Sequence, residues 1–349
     1  MQQTTLQDVY DALQYLDPNC SRDEWVKVGM GIKNEFGETG FDAFDSWSAG
    51  GQDYKPTETR SAWKSFKAGG GTTIATLFKF AGDNGFSIER EATTPEEQAR
   101  LQAEFAQRAK EREAQEVLDD AERKRWHGVI ADFTRRIVDD FTLSIKSNKY
   151  LSEKKVNAYG VFGFKKSFIA VVRPNFVTEI IEGGKEIKAF FDALPPNRED
   201  RDYSFLHIKR GDLAIPLIDI DKALWNVQII NGSGGKFFLK NGRKAGLFHF
   251  IGKANTSNIL AVCEGYATGA SIHMATEWPC VVAIDAGNLM PVALTMKEKL
   301  PEKTFIFCAD DDANTKGNPG ITKANEAAAA VNGLVAIPDF SDILNKEAA

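Results

Sequence analysis

The stretch NILAVCEGYATGASIHMATEWPCVVAIDAG, residues 258–287, decides the fold of the C-terminal part of the chain. Its two apolar runs, NILAVCEG and CVVAIDAG, have the length of buried strands, and YATGASIHMATEW between them has the length of a helix. The same alternation continues through NLMPVALTMKEKL, TFIFCADDD, GITKANEAAAAVNG and LVAIPDF. Apolar strands separated by helices of this length predict a parallel α/β sheet built from βαβ units.

Each of the four predicted strands is followed by acidic residues. In chain order these are Glu264, Asp285, Asp310 to Asp312, and Asp339 with Asp342. Ligands of open parallel sheets bind outside the carboxyl ends of the strands, and Mg²⁺ prefers carboxylate oxygens. Helix capping explains Asp285 and one of the three consecutive aspartates, but it does not explain acidic residues at four successive strand ends. The pattern therefore predicts a metal site at this edge.

Strand alternation separates the three consecutive aspartates. Residues i and i+2 point to the same side, so Asp310 and Asp312 converge while Asp311 faces elsewhere. A Walker B motif in FIFCAD is an alternative, but it requires a phosphate-binding loop. The glycine-rich stretch NGSGGKFFLKNGRKAG does not have the GxxxxGK[ST] spacing of such a loop, and it is typical of a basic hairpin.

The remaining chain divides into three further segments. Residues 1–90 have apolar positions at helical spacing and a capping-box pattern at Ser21–Glu24, which predicts a small all-α domain. Residues 91–145 are rich in helix formers and carry both charge signs, which predicts an exposed connecting helix. Residues 146–252 contain short β-rich runs broken by Gly, Asn and Pro, and residues 253–349 carry the α/β pattern.

Composition limits the classes of function. The 349 residues carry a formal net charge of −6, which argues against a uniformly basic surface but not against a local basic groove. We find no signal-peptide core near Met1 and no apolar run of about 18 residues that could span a bilayer, so a cytoplasmic protein without membrane contact is predicted. The four cysteines form no CxxC pair and no paired Cys/His spacing, so no zinc is expected.

Several motifs resemble a known family. CEGYATGASI, DAGNL, ADDDANTKGNPGITKANEAAAA and PDFSDIL resemble the Toprim domain of phage and plasmid primases, including the alpha-type primases of satellite phages. NKYLSEKKV, LAIPLIDI and NVQIINGSGGKFFLKNGRKAG resemble the primase subdomain that precedes Toprim. The N-terminal DEWVKVGMGIKNEFG, FDSWS, WKSF and IATLFKFA are similar to the second type of primase C-terminal helical domain. The resemblance implies an α/β fold: a Rossmann-like parallel Toprim sheet, preceded by a mixed α+β primase subdomain and a small all-α domain.

The resemblance also implies roles for individual residues. Glu264 would be a catalytic, metal-linked acid near the nucleotide 3′ end, and Asp310 and Asp312 would hold Mg²⁺ or Mn²⁺ against the incoming triphosphate. Asp342 would complete the acidic site. The basic residues that would contact nucleotide or template are Lys236, Lys240, Arg243, Lys244 and Arg210.

The function implied by the resemblance is that of a DNA-dependent primase. It would make short RNA primers from NTPs on single-stranded DNA for a phage, plasmid or other mobile element in a bacterial host cell. The zinc-binding module common in such primases is not found in the sequence, and we expect the replicative helicase to be a separate chain or to lie beyond Ala349. Two alternatives remain open: a Toprim nuclease with the same acidic site, and a non-catalytic replication adaptor that binds single-stranded DNA.

Overall fold

The computed structural model describes residues 4–66, 71–87, 95–311, 315 and 317–338. Two compact units make up the chain, Met1–Ala121 and Glu122–Ala349. None of the helices in these described ranges has the length and apolar content that a membrane span requires.

The first unit contains a small bundle of helices with an aromatic core. Its first five helices are α1 (Leu6–Leu13), α2 (Arg22–Phe36), α3 (Phe41–Ser48), α4 (Pro56–Ser65) and α5 (Ile74–Asp83). The predicted capping box is confirmed, because the Ser21 side chain accepts the backbone N–H of Glu24 and the Glu24 carboxylate accepts the backbone N–H of Ser21. Phe44 is fully buried at the centre of the core, and its ring stacks on Trp63 with 5.5 Å between centroids.

The long helix α6 (Pro95–Phe141) contains the boundary between the two units. The residues described before Ala121 are mostly exposed, as expected for a connecting helix. Its C-terminal part differs from that expectation, since an apolar stripe there is buried in the second unit. The stripe consists of Trp126, Ile130, Phe133, Ile137 and Phe141, three or four residues apart on one helix face. The charged residues between these positions dilute the apolar signal in the sequence.

Two antiparallel sheets follow α6. Their strands are β1 (Thr142–Ser144), β2 (Phe162–Phe164), β3 (Phe168–Arg173), β4 (Val177–Glu182), β5 (Ser204–Ile208), β6 (Leu213–Ile218), β7 (Leu224–Ile230) and β8 (Lys236–Phe238). The five-stranded sheet has the order β1-β2-β6-β7-β8, and the three-stranded sheet has the order β4-β3-β5. Two short helices complete this region, α7 (Lys149–Glu153) and α8 (Gly184–Asp192).

The C-terminal sheet confirms the α/β prediction. Its strands are β9 (His249–Ile251), β10 (Ile259–Cys263), β11 (Cys280–Val282), β12 (Thr304–Cys308) and β13 (Leu334–Ala336), in the order β13-β12-β10-β11-β9. The helices between them are α9 (Tyr266–Thr276), α10 (Leu289–Lys299) and α11 (Pro319–Val331). Strands β10 to β13 are parallel, whereas β9 pairs antiparallel with β11. The edge strand β9 lies before the predicted segment boundary at residue 253.

Alternate residues of β10 are buried in two different cores. Leu260 and Val262 pack with the helices α10 and α11, and Ala261 and Cys263 pack into a core on the other side of the sheet. That second core also contains β6 residues, among them Ile215. The α+β subdomain and the C-terminal sheet therefore share one hydrophobic core, which explains why β10 is apolar at every position.

Candidate active site at the carboxyl edge of the parallel sheet

Strand order places the first candidate residues at the switch point of the sheet. β10 lies between β11 and β12, so the chain leaves β10 towards one side and later returns to its other side. Cys263 pairs with Cys308 in the register of β10 and β12. Glu264 follows directly after Cys263, and Asp310 follows two residues after Cys308. Ligands of open α/β sheets bind in the crevice at this kind of switch point.

Glu264 and Asp310 are both half-buried and both lie close to the thiol of Cys263. Burial is the main cause that raises the pKa of Cys263 well above its usual value. The neighbouring Cys280 and Cys308 and the charges of Asp310 and Glu264 raise this pKa further. Oε1 of Glu264 is screened from solvent. The structure therefore brings together the first two predicted carboxylates on a partly desolvated edge.

The other two predicted carboxylates, Asp312 and Asp342, lie outside the described residues, as does Asp339. Asp311 is described and exposed, and its Oδ1 accepts a hydrogen bond from Nδ2 of Asn318 at 2.7 Å. Asn318 is the N-cap residue of α11. Within the described ranges no three His, Cys, Asp or Glu side chains form a metal-binding group. Coordination by the full predicted set therefore stays a prediction.

The chemistry of the donors fits a hard divalent cation. Glu264 and Asp310 offer only carboxylate oxygens, the ligands that Mg²⁺ and Mn²⁺ prefer. The thiols behind them are poor ligands, because burial raises the pKa of Cys280 to about 12 and also raises the pKa of Cys308. A protonated thiol binds metal weakly, since the thiolate is the ligand form. The described donors therefore fit a hard divalent cation.

Lys236 is one of two predicted basic residues that the structure places beside the acidic edge, and the other is Lys244, which pairs with Asp285. Lys236 begins β8, and its Nζ lies 3.9 Å from the point where a Cβ on Gly265 would stand. Gly265 directly follows Glu264 and is the N-cap residue of α9. Lys236 and Lys240 are exposed, and neither ammonium group forms an ion pair with the residues that the structure describes.

Arg243 and Lys244 already have partners on the protein. Nη1 of Arg243 lies 3.9 Å from Oδ2 of Asp219, and its guanidinium lies 5.1 Å from the ring centroid of Trp225. Nζ of Lys244 lies 3.2 Å from Oδ2 of Asp285. These contacts hold the segment after β8 against the residues next to β6 and β7 and against the end of β11.

Arg210 is exposed in the turn between β5 and β6, where its backbone N–H donates to the Ser167 hydroxyl. The pairing of Leu213 with Ile230, and of Ile230 with Lys236, puts this turn and the start of β8 at the same end of the five-stranded sheet. This shared position supports a basic edge.

Asn288 is a positioning residue to which the sequence analysis gave no role. Its side chain is buried and makes three hydrogen bonds. Oδ1 accepts the backbone N–H of Gly246 at 2.7 Å, and Nδ2 donates to the carbonyls of Leu247 and Ala283, also at 2.7 Å. Asp285 accepts the Asn288 backbone N–H, as its capping role predicts. The motif DAGNL carried the signal, but the partners Gly246 and Leu247, which lie 42 and 41 residues away, were not visible in sequence.

Tyr266 joins the start of α9 to the α+β subdomain. Its hydroxyl donates to the Asn157 carbonyl at 2.9 Å and accepts the backbone N–H of Tyr159 at 2.7 Å. Burial is the main cause that raises the pKa of Tyr266 to about 12. The first turn of α9, which directly follows Glu264, is therefore fixed by neutral hydrogen bonds.

Two family models match separate parts of the chain. Residues 9–81 match "Primase C terminal 2 (PriCT-2)", and residues 259–348 match "Toprim domain". The chain is 41% identical over 134 residues to a protein named DNA primase TraC from Escherichia coli. The aligned region covers 36% of this chain and 13% of TraC. A second Escherichia coli protein of that name is 38% identical over 138 residues, covering 38% of this chain and 10% of the relative. The predicted resemblance is thereby confirmed, although the chain spans only a small part of these relatives.

Two solved structures resemble the chain more loosely. One is titled the structure of the DnaG catalytic core, with a TM-score of 0.35 and 13% identity over 64% of this chain and 76% of that chain. The other is titled the DnaG primase catalytic domain bound to ssDNA, with a TM-score of 0.35 and 14% identity over 65% of this chain and 79% of that chain. At this TM-score the superpositions support no argument about the site.

Proposed function

We propose that this chain, which carries a PriCT-2 domain and a Toprim domain, is a DNA primase that makes short RNA primers on single-stranded DNA. The observation that supports the proposal is that Glu264 and Asp310 follow two adjacent parallel strands at the switch point of the sheet, with Nζ of Lys236 beside Gly265. Two carboxylates beside a free lysine suit nucleotidyl transfer, which depends on positioning and charge neutralisation.

Each of these side chains has a role in the proposed reaction. Lys236 binds a phosphate of the incoming NTP, because its Nζ is exposed and close to the glycine at the start of α9. Glu264 and Asp310 hold the divalent ion, with Asp312 and Asp342 proposed to complete its ligands. When bound, Mg²⁺ or Mn²⁺ supplies neutralisation of the triphosphate charge and orientation of the leaving group. The template is held mainly through its phosphates, so its binding is expected to weaken as salt rises.

A template-directed assay tests the proposal. The full chain is mixed with single-stranded DNA, labelled NTPs and Mg²⁺ or Mn²⁺. Short labelled oligomers would support the primase, whereas shortening of the template would identify a nuclease. Tight DNA binding with neither product would identify a non-catalytic adaptor. Omission of the divalent ion or addition of EDTA is expected to abolish synthesis.

Substitution of the carboxylates tests the assignment of the site. Asp310→Asn and the double variant Asp310→Ala/Asp312→Ala are expected to abolish synthesis and to leave DNA binding largely intact. Asp311→Asn is the matched control, because Asp311 is exposed and accepts a hydrogen bond from the cap of α11. Synthesis by the double variant would disprove the site, and an equal loss in Asp311→Asn would show that the effect is not specific to Asp310.

A further inference from the structure

Gly265, between Glu264 and helix α9, is a glycine that neither its backbone conformation nor the packing around it requires. Its φ of −103° and ψ of 148° are extended values that any residue adopts. Apart from the two sequence neighbours of Gly265, the nearest described atoms lie 3.7 and 3.9 Å from the point where a Cβ would stand, which are ordinary contact distances. The missing side chain therefore leaves an open notch beside Glu264, and glycine is used where a ligand approaches the backbone closely.

Two polar side chains border this notch. Oγ1 of Thr268 lies 3.7 Å from the point where a Cβ on Gly265 would stand, and Nζ of Lys236 lies 3.9 Å from the same point. The two residues come from different elements, because Thr268 belongs to the first turn of α9 and Lys236 begins β8. A hydroxyl and an ammonium group that border one notch can both donate hydrogen bonds to a single ligand group.

The Thr268 hydroxyl is not used within the part of the chain that the structure describes. The N-terminus of α9 has no side-chain cap hydrogen bond, and no other described residue bonds to Thr268. Other helical threonines of this unit bond to the carbonyl four residues earlier. The Thr276 hydroxyl donates to Ile272 at 2.7 Å, and the Thr295 hydroxyl donates to Pro291 at 2.9 Å. Thr268 is half-buried, and its hydroxyl is left available to a ligand in the notch.

The chemistry of the notch fits a phosphoryl group. Lys236 is exposed and forms no ion pair with the described residues, so its charge is available to an anion. An ammonium group has three donors and no acceptor, and a hydroxyl adds one further donor. Glu264 directly precedes Gly265, so a phosphate in the notch lies next to a proposed ligand of the divalent ion. Mg²⁺ is usually bound by carboxylates together with substrate phosphates.

We infer that Thr268 is a further substrate-binding residue, and that its hydroxyl donates to the same NTP phosphate that Lys236 binds, in the notch left open by Gly265. The inference rests on the proposed function, which makes an NTP the ligand. A hydrogen bond to a charged phosphate oxygen is stronger than one between neutral groups. The hydroxyl of Tyr266 bonds to Asn157 and Tyr159, so the first turn of α9 is held in place before the NTP binds.

Equilibrium binding of ATP tests the inference without turnover. Isothermal titration calorimetry of the full chain with ATP and Mg²⁺, in the absence of template, measures the Kd. Thr268→Val keeps the branched shape of the side chain and removes the hydroxyl, so it is expected to weaken ATP binding about tenfold. Thr268→Ser keeps the hydroxyl and is expected to retain most of the affinity. Unchanged affinity in Thr268→Val, or no binding of ATP by the unmodified chain, would overturn the inference.

Thr276→Val is the matched control for Thr268→Val. It removes a hydroxyl from the last turn of the same helix, where Thr276 is exposed and bonds to Ile272. Its ATP affinity is expected to stay within about twofold of the unmodified chain, as for a distant and independent change. Equal losses in the two variants would show that any loss of a hydroxyl from α9 weakens binding, and would overturn the role of Thr268.

Gly265→Ser separates a ligand notch from a glycine used only for helix capping. Serine is a favoured N-cap residue, so the unfolding free energy of this variant is expected to be retained. Its side chain enters the notch, so ATP affinity is expected to fall at least as much as in Thr268→Val. Unchanged ATP affinity in a folded Gly265→Ser variant would contradict the position assigned to the phosphate.

The double variant Thr268→Val/Lys236→Met tests whether both side chains contact the same phosphate. Two groups that share one ligand group are coupled, so the combined loss of ATP affinity is expected to be smaller than the product of the two single losses. A combined loss equal to that product would assign the two side chains to separate phosphates and overturn the shared contact.

Primer synthesis is measured on the same variants, because the two proposals fail separately. If the unmodified chain primes and Thr268→Val binds ATP with full affinity, only the assignment of Thr268 is wrong. If ATP binding depends on Thr268 in a chain that does not prime, only the primase is wrong.

Discussion

At the scale of single residues, the position of Lys236 distinguishes it from the other basic side chains. Its Nζ approaches Gly265 at the start of α9, whereas Lys240, which is also exposed, follows the end of β8. Lys236→Ala is expected to lower primer synthesis by about 10- to 100-fold, because a hydrogen bond to a charged group contributes about 1.5–3 kcal/mol. Steady-state kinetics at varied NTP concentration measures this loss.

Lys240→Ala provides the matched control for Lys236→Ala, since both variants remove one exposed positive charge next to the same hairpin. Equal losses in the two variants would show that only the general basic charge matters. A larger loss in Lys236→Ala supports a specific contact with the nucleotide.

His249 makes the stability of the second unit depend on pH. Its two ring nitrogens lie 3.1 Å from the Pro216 carbonyl and 2.8 Å from the Tyr159 carbonyl, and burial lowers its pKa despite these two acceptors. The lowered pKa favours the neutral ring in the folded state, while the unfolded chain takes up a proton below about pH 6.5. Stability contributed by His249 is present above this pH and is lost as the pH falls.

Urea unfolding between pH 5 and pH 7.5 measures this dependence. The free energy of unfolding is expected to decrease towards pH 5 in the unmodified chain and to change less in His249→Gln. His207→Gln is the variant with which His249→Gln is compared, because burial also lowers the pKa of His207. An unchanged pH dependence in His249→Gln would contradict the prediction.

At the scale of elements, two helical glycines of the second unit have opposite surroundings. A Cβ on Gly269 of α9 would stand 2.8 Å from Cγ2 of Val282 and 3.0 Å from Sγ of Cys263, so the helix approaches the sheet closely. A Cβ on Gly128 of α6 would meet no atom within 4 Å. Gly269→Ala is expected to destabilise the unit by about 1–3 kcal/mol through overpacking.

Gly128→Ala is the matched control, and it is expected to stabilise the unit by about 0.5–1 kcal/mol, because alanine favours a helix more than glycine does. Chemical denaturation of both variants measures the two shifts. The two substitutions must change the free energy of unfolding in opposite directions. A stabilised Gly269→Ala variant would show that α9 can move away from the sheet at little cost.

The segment between β8 and β9 is held to the C-terminal sheet by Asn288. Asn288→Ala leaves three backbone groups without their side-chain partner, which are the buried carbonyls of Leu247 and Ala283 and the half-buried N–H of Gly246. Each unsatisfied buried group costs about 1–3 kcal/mol, so a loss of at least about 2 kcal/mol in unfolding free energy is expected. Thermal denaturation followed by circular dichroism measures this loss.

Asn325→Ala is the control for Asn288→Ala, because Asn325 is exposed and donates one hydrogen bond to Ile321 within α11. Its substitution is expected to change stability by less than about 0.5 kcal/mol. Equal stability of the Asn288 variant and this control would disprove the anchoring role.

The elements that the sequence predicted well are those with a strong local pattern. β10 and β12 are apolar at nearly every position because both faces of their sheet are covered, and that pattern is visible in a few residues. The approach of Lys236 to Gly265 depends on how two sheets share a core, which no local pattern records. The buried stripe of α6 was missed because its apolar residues alternate with charged ones in a long polar segment.

At the scale of the whole molecule, the described parts of the proposed site lie within one compact unit. Glu264, Asp310 and Lys236 belong to Glu122–Ala349, while the PriCT-2 match at residues 9–81 lies in the other unit. The α+β subdomain and the C-terminal sheet cannot be separated without exposing their shared core. We therefore expect the boundary between parts with separate functions to lie between the two units, and not at residue 252.

Removal of residues 1–90 tests this division. Because the acidic edge and Lys236 remain, extension of a preformed primer is expected to stay within about twofold of the full chain, as for distant and independent changes. Initiation on an unprimed template is expected to fall if the first unit holds the template or the initiating nucleotide. Parallel assays of extension and initiation measure the two effects, and circular dichroism checks folding. Loss of extension in a folded truncated chain would show that the first unit contributes to the catalytic site itself.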